Sequence, residues 1–122
     1  MKAGLTAPVI AMIEIKEADA LPQGTLRLLV TTGEESAQHG SKYLRENGYM
    51  DDIEAMIIAE PTGDVTDTSN LLIDKGEDFH FVVLRLGQTS SAHQLDEYVS
   101  KEASFNFVDI YIELITKFAE GK

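Results

Sequence analysis

Apolar and polar positions along this chain follow two periods, one near 3.6 and one near 2. From Thr6 to Ala18, Val9, Ile10, Ala11 and Ile13 form an apolar stripe, with Glu14, Lys16 and Glu17 on the wet side, which predicts a helix. Thr6 is placed to cap it, and Pro8 falls in its first turn, where a missing N–H does no harm. Leu21-Pro22-Gln23-Gly24 reads as a turn. Thr25 to Thr32 then reads as a strand, because Leu26 to Val30 is nearly continuous in apolar character, as in a strand covered on both faces. Gly33 breaks it. A second helix is predicted from Ser36 or Gly40 to Glu46, with Asn47-Gly48 as its left-handed stop. Ile53 to Ala59 is a further buried strand, broken by Pro61.

Helix, strand, helix, strand with short connections argues for a parallel α/β sheet. The stretch from Gly63 to Asn70 is polar and turn-rich, so a domain boundary is placed there, dividing residues 1–66 from 67–122. Beyond it, Leu71 to Ile73 is a short strand and Lys75-Gly76 a turn. In the strand Phe79 to Leu86, Phe79, Phe81 and Val83 alternate with His80, Val82 and Leu84. Gln88 to Ala103 reads as polar and irregular. A last helix covers Phe105 to Ala119 on a stripe of Phe105, Val108, Ile112, Ile115 and Phe118. Phe107, Tyr111 and Leu114 widen that stripe, which implies packing on two sides or a partner surface left unfilled. There is no internal repeat.

Composition removes several functions. A formal charge of −11 disfavours nucleic acid and anionic membranes, both of which call for clustered Lys and Arg. The absence of cysteine excludes disulfides, thiolate-ligated zinc and cysteine nucleophiles, and suits a reducing compartment. The first residues lack the long apolar core of a signal peptide, and no run reaches the length of a membrane span, so a cytoplasmic protein is expected. At 122 residues and 43% apolar, the chain has enough for a modest core.

The chemistry sits at the strand ends. Thr31-Thr32-Gly33-Glu34-Glu35-Ser36 and Ala59-Glu60-Pro61-Thr62 each fall where an apolar strand stops. Ligands of open α/β sheets bind at such carboxyl ends. Adjacent acids diverge there, so one can ligate a metal while the other accepts a proton from water that the metal acidifies. Glu60 at the next strand tip can face the same crevice. The plainer alternative is that Glu34 and Glu35 are solvated loop acids in a very acidic chain. His39 and His80 have no partner at ligand spacing. Ser90 and Ser91 lack the surroundings of a nucleophile elbow. Gly33 and Gly63 do not make a phosphate-binding loop.

Met1-Lys2-Ala3-Gly4-Leu5, Gly33-Glu34-Glu35 and Glu60-Pro61-Thr62-Gly63, in that order and spacing, resemble the zinc-dependent aminoacylase and carboxypeptidase family, of the acetylornithine deacetylase and succinyl-diaminopimelate desuccinylase type. The resemblance covers Met1 to Gly63 and continues more weakly through Lys75-Gly76. It implies a parallel-sheet, three-layer metallohydrolase core, followed by the start of an α+β lid that also mediates dimerisation. It further implies two metal ions, zinc or alternatively cobalt, and small N-acyl amino acid or peptide substrates. Glu34 then matches the general base, Glu35 a ligand of one metal and Glu60 a ligand of the other. His93, within Ser90-Ser91-Ala92-His93, matches the lid histidine that reaches a neighbouring subunit's site, although Gln94-Leu95-Asp96-Glu97 departs from the family pattern.

The family's bridging aspartate precedes the Met-Lys motif, one metal-binding histidine lies further upstream, and another lies far downstream of Lys122. The chain is therefore expected to be a piece of such an enzyme, inactive in isolation and prone to self-association. The rival expectation is a non-catalytic interaction module that keeps the scaffold without the metal site.

Overall fold

The computed structural model describes residues 2–33, 38–60, 79–85 and 100–121. In chain order these contain α1 (Lys2–Glu17), α2 (His39–Glu46), β1 (Ala55–Glu60), β2 (His80–Arg85) and α3 (Lys101–Glu120). The mixture is compatible with an α/β class. β1 and β2 are hydrogen-bonded neighbours in a small parallel sheet, and the 19 residues between them suffice for the crossover that parallel pairing requires. The described residues form two compact units. One holds α1, the chain onward to Leu28, and α3; the other holds residues 29–58, with α2 and most of β1, and β2 through Leu84.

In the first unit α1 packs on α3. Gly4, Ala7, Ala11 and Ile15 are buried on α1, and Val108, Tyr111, Ile115 and Ala119 on α3. Both sets advance by three, four and four residues, the spacing of one helical face. Small residues on α1 permit close approach and leave room for Tyr111, the largest fully buried side chain. Of the expected stripe Ala11 is buried, but Val9 and Ile10 are only half-buried and Ile13, on the opposite side, is 49% exposed.

The helix also starts earlier than its predicted Thr6 cap. The buried face continues back to Gly4, so the first turn is held by packing. Thr6 lies exposed inside the helix, and Pro8 interrupts one intrahelical bond at the Gly4 carbonyl.

α1 and α2 close in the same way. Ala20 N–H donates to the Ile15 carbonyl (2.9 Å) and Asp19 N–H to that of Lys16 (3.2 Å). At the end of α2, Tyr49 N–H donates to Leu44 (3.0 Å) and Gly48 N–H to Arg45 (3.1 Å). This paired pattern requires a left-handed residue just past the helix. Gly48 supplies it at φ 76°, as the Asn47-Gly48 signal predicts, whereas in α1 Asp19 is forced there at φ 49°.

The strand predicted at Thr25–Thr32 is absent. These residues are irregular and lie outside the two-stranded sheet. Leu28 and Val30 are 40% and 55% exposed, so neither the ladder nor the covering layers that make such a run a strand are present. β1 and β2 agree with their predictions to within two residues at each described end, and Leu86 lies outside the described residues. Also outside are Leu71–Ile73, Lys75-Gly76 and most of the Gln88–Ala103 segment, whose last residues open α3.

α3 begins a turn before the predicted Phe105 because Ser100 caps it: its hydroxyl accepts from Ala103 N–H at 3.0 Å. Phe105 and Phe118, expected in the buried stripe, are 69% and 39% exposed, and Tyr111 takes the central place. The far end of α3 is held by Gln23, whose side-chain amide donates to the Ala119 carbonyl at 2.7 Å. On its wet side, Lys117 pairs with Glu113 one turn earlier; that hydrogen bond holds the Glu113 carboxyl below its usual range.

Candidate functional site

Glu34, Glu35 and His93 lie outside the described residues. Glu60 is the last residue of β1, so the backbone delivers this carboxylate-bearing position to the carboxyl end of a strand. His39 opens α2 and His80 opens β2; both are exposed. Among the described residues, no group of three or more His, Asp or Glu side chains converges on one point.

What is defined is the base from which residues 34–37 depart. Gly33 has φ 78°. Across the base, Gln38 N–H donates to the Gly33 carbonyl (2.9 Å) and Gly40 N–H to the Thr32 carbonyl (3.1 Å). Gln38 is left-handed (φ 58°), a strained conformation for a residue with a Cβ, and its side chain does not cap α2. Its carbonyl accepts from the hydroxyl of Ser41, which is fully buried, at 3.1 Å.

Gly40 approaches the preceding chain so closely that a Cβ there would lie 2.6 Å from the Thr32 carbonyl oxygen and 2.7 Å from its nitrogen. Sequence reasoning missed Gly40 and Ser41. The available signal was a glycine and a small polar residue at the start of an otherwise ordinary helix.

The donors suit a divalent metal in kind. Carboxylate oxygens ligate zinc and its neighbours, and a chain without cysteine directs the choice to oxygen and imidazole. The sequence reading expects Glu34 as base and Glu35 and Glu60 as ligands, two of the three or four that a zinc site takes.

A family model described as "Peptidase family M20/M25/M40" matches residues 1–72. A probable succinyl-diaminopimelate desuccinylase of Staphylococcus epidermidis is 43% identical over 107 residues, covering 83% of this chain and 26% of that protein. A Staphylococcus aureus protein of the same description is 60% identical over 63 residues, covering 52% of this chain and 16% of that protein. The chain thus spans about a quarter or less of the length of these curated relatives. No solved structure matches it.

Proposed function

Because the chain belongs to peptidase family M20/M25/M40, we propose that it is part of a metal-dependent hydrolase cleaving the amide bond of N-acyl amino acids or small peptides. The observation that carries this reading is the family match over residues 1–72, which takes in both Gly33-Glu34-Glu35 and Glu60-Pro61-Thr62-Gly63. The relatives' description as probable succinyl-diaminopimelate desuccinylases supports an acyl group that itself carries a carboxylate.

Glu35 and Glu60 would hold zinc, together with ligands from outside this pair. Zinc, when bound, supplies Lewis acidity to the substrate carbonyl. Glu34 takes a proton from the attacking water as oxygen adds to the carbonyl carbon. It then delivers that proton to the amine nitrogen as the C–N bond breaks. His93, in the segment 67–122 read as a lid and dimerisation domain, would hold the substrate in the site of a neighbouring subunit.

A second reading, a non-catalytic interaction module, draws support from the exposed apolar side chains of Phe105, Ile110 and Phe118 on α3.

Calorimetric titration of zinc into the 122-residue chain, beside a Glu35→Ala, Glu60→Ala double variant, tests for a metal site. Stoichiometric binding that the variant loses supports the hydrolase reading. Binding no stronger than the variant's means that these two carboxylates make no metal site within this chain, which is then either a piece whose chemistry needs the rest of a longer protein or the module.

A further inference from the structure

We propose that Asn47 is a modification site of this chain: its side-chain amide is lost spontaneously to attack by the Gly48 nitrogen, and the C-terminal cap of α2 keeps that reaction latent. The proposal is independent of the metal-site reading above.

The chemistry is local. The Gly48 main-chain nitrogen gives up its proton and bonds to Asn47 Cγ. The bond from Cγ to Nδ2 breaks, and Nδ2 takes up a proton and leaves as ammonia. Water then opens the succinimide ring at either carbonyl, giving aspartate or isoaspartate, so water is the sole co-reactant. The chain has three asparagines, Asn47, Asn70 and Asn106, followed by Gly48, Leu71 and Phe107. Gly48 alone brings no side chain to crowd the attacking nitrogen. Asn47 is exposed, so water reaches the ring.

Three features of the folded cap oppose ring closure. Closure needs Cβ and the Gly48 nitrogen nearly eclipsed about Cα–C, which at a tetrahedral carbon means an Asn47 ψ of about −120°. The cap sets ψ at 14°, and the value needed lies outside the main allowed regions. The Gly48 N–H, which must be surrendered, donates to the Arg45 carbonyl at 3.1 Å. Nδ2, the leaving group, donates to the Tyr43 carbonyl at 2.8 Å, and the Asn47 N–H donates to the same oxygen at 3.1 Å. Reaction therefore waits on an opening of the last turn of α2. The glycine that closes the helix in the left-handed region also makes the site reactive.

The product does not restore what was lost. A carboxylate at position 47 has no proton to offer Tyr43, and it adds negative charge at the negative end of α2. Isoaspartate also lengthens the main chain within the cap, so the Gly48 and Tyr49 bonds to Arg45 and Leu44 lose their register. An opening that reacts leaves this end of α2 permanently frayed.

The test incubates the 122-residue chain in mildly alkaline buffer, folded and in urea, and follows Asn47 by peptide mass mapping. Each variant is read as its urea rate divided by its folded rate, which cancels intrinsic sequence effects. Wild type should react about ten-fold or more slowly when folded. Glu46→Gly loosens the last turn from an exposed position, so its ratio should fall about five-fold. Ile115→Ala weakens the other compact unit and should keep the wild-type ratio. Asn47→Asp should speed amide exchange at Tyr49 several-fold in the folded protein.

Equal rates in the folded and urea-treated chain overturn the proposal, as does a Glu46→Gly ratio no lower than wild type's. A fall in Ile115→Ala as large as in Glu46→Gly overturns control by the cap, and unchanged Tyr49 exchange in Asn47→Asp overturns the lasting fray. If Glu46→Gly does not fold, Glu46→Ser loosens the same turn more gently and is judged by the same ratio.

Discussion

Replacing Tyr111 with phenylalanine removes one oxygen and keeps the ring. That ring is 1% exposed, and among the described residues its hydroxyl meets no hydrogen-bond partner. In the unfolded chain the same hydroxyl is hydrated. Leaving a buried polar group unsatisfied costs about 1–3 kcal/mol, so Tyr111→Phe should stabilise the fold by about 1–2 kcal/mol. The apolar contribution of the ring, with Phe107 beside it at a centroid distance of 6.5 Å, is common to both proteins and cancels. Tyr111→Ala removes that contribution and should cost about 3–5 kcal/mol. Two substitutions at one position thus move stability in opposite directions. Urea unfolding followed by circular dichroism measures both, with a higher midpoint and unchanged slope expected for Tyr111→Phe. A Tyr111→Phe protein no more stable than wild type would refute the reasoning, because the hydroxyl would then have a partner and the packing of α1 on α3 around it would need revision.

Burial also pushes the Tyr111 phenol up from its ordinary value of 10 to about 12, so above pH 10 the native state keeps a proton that the unfolded chain releases. Stability from this group should be flat below pH 10 and fall as pH rises through about 12; the difference between wild type and Tyr111→Phe in unfolding at alkaline pH isolates it. Asp19→Gly should stabilise by about 1 kcal/mol, since it relieves a left-handed residue with a Cβ and removes an anion from the negative end of α1; equal or lower thermal stability would contradict this. Gly48→Ala should do the reverse at α2 by about 1–2 kcal/mol, and adding Asp51→Ala should recover only the steric share, because a Cβ at 48 lies 2.9 Å from an Asp51 carboxylate oxygen. Ser100→Ala should cost about 1 kcal/mol and fray the first turn of α3, whereas Ser100→Asn should hold stability within a few tenths; equal losses in the two would argue against the cap.

The elements legible in the sequence are those whose causes are local. Asn47-Gly48 announces the end of α2 because a left-handed residue is needed there whatever else the fold does. β1 and α3 are legible because their apolar periods are long. The Thr25–Thr32 run misled because a strand exists only through its neighbours, and apolar character records a wish for cover rather than its presence. The α3 start was missed because Ser100 follows a polar stretch that masks a cap. On α1 and α3, Ala7, Ile15 and Tyr111 are buried beside the expected Ala11, Val108 and Ile115 while Ile13, Phe105 and Phe118 stay exposed, because the approach of two helices selects for fit as well as for hydrophobicity. Glu60 falls at the strand end where the sequence put it. Gly40 escaped notice because a close main-chain approach leaves no pattern of hydrophobicity or charge.

That last property bears on how such a loop base drifts over evolutionary time. Gly40 touches Thr32 through the latter's nitrogen and oxygen, atoms every residue possesses. Position 32 is therefore free to change its side chain without a compensating exchange at position 40. Methods that find neighbours from correlated substitutions would be blind to this pairing however close it is. The genetic trace to expect is one-sided: a single codon held to glycine beside a partner free to wander.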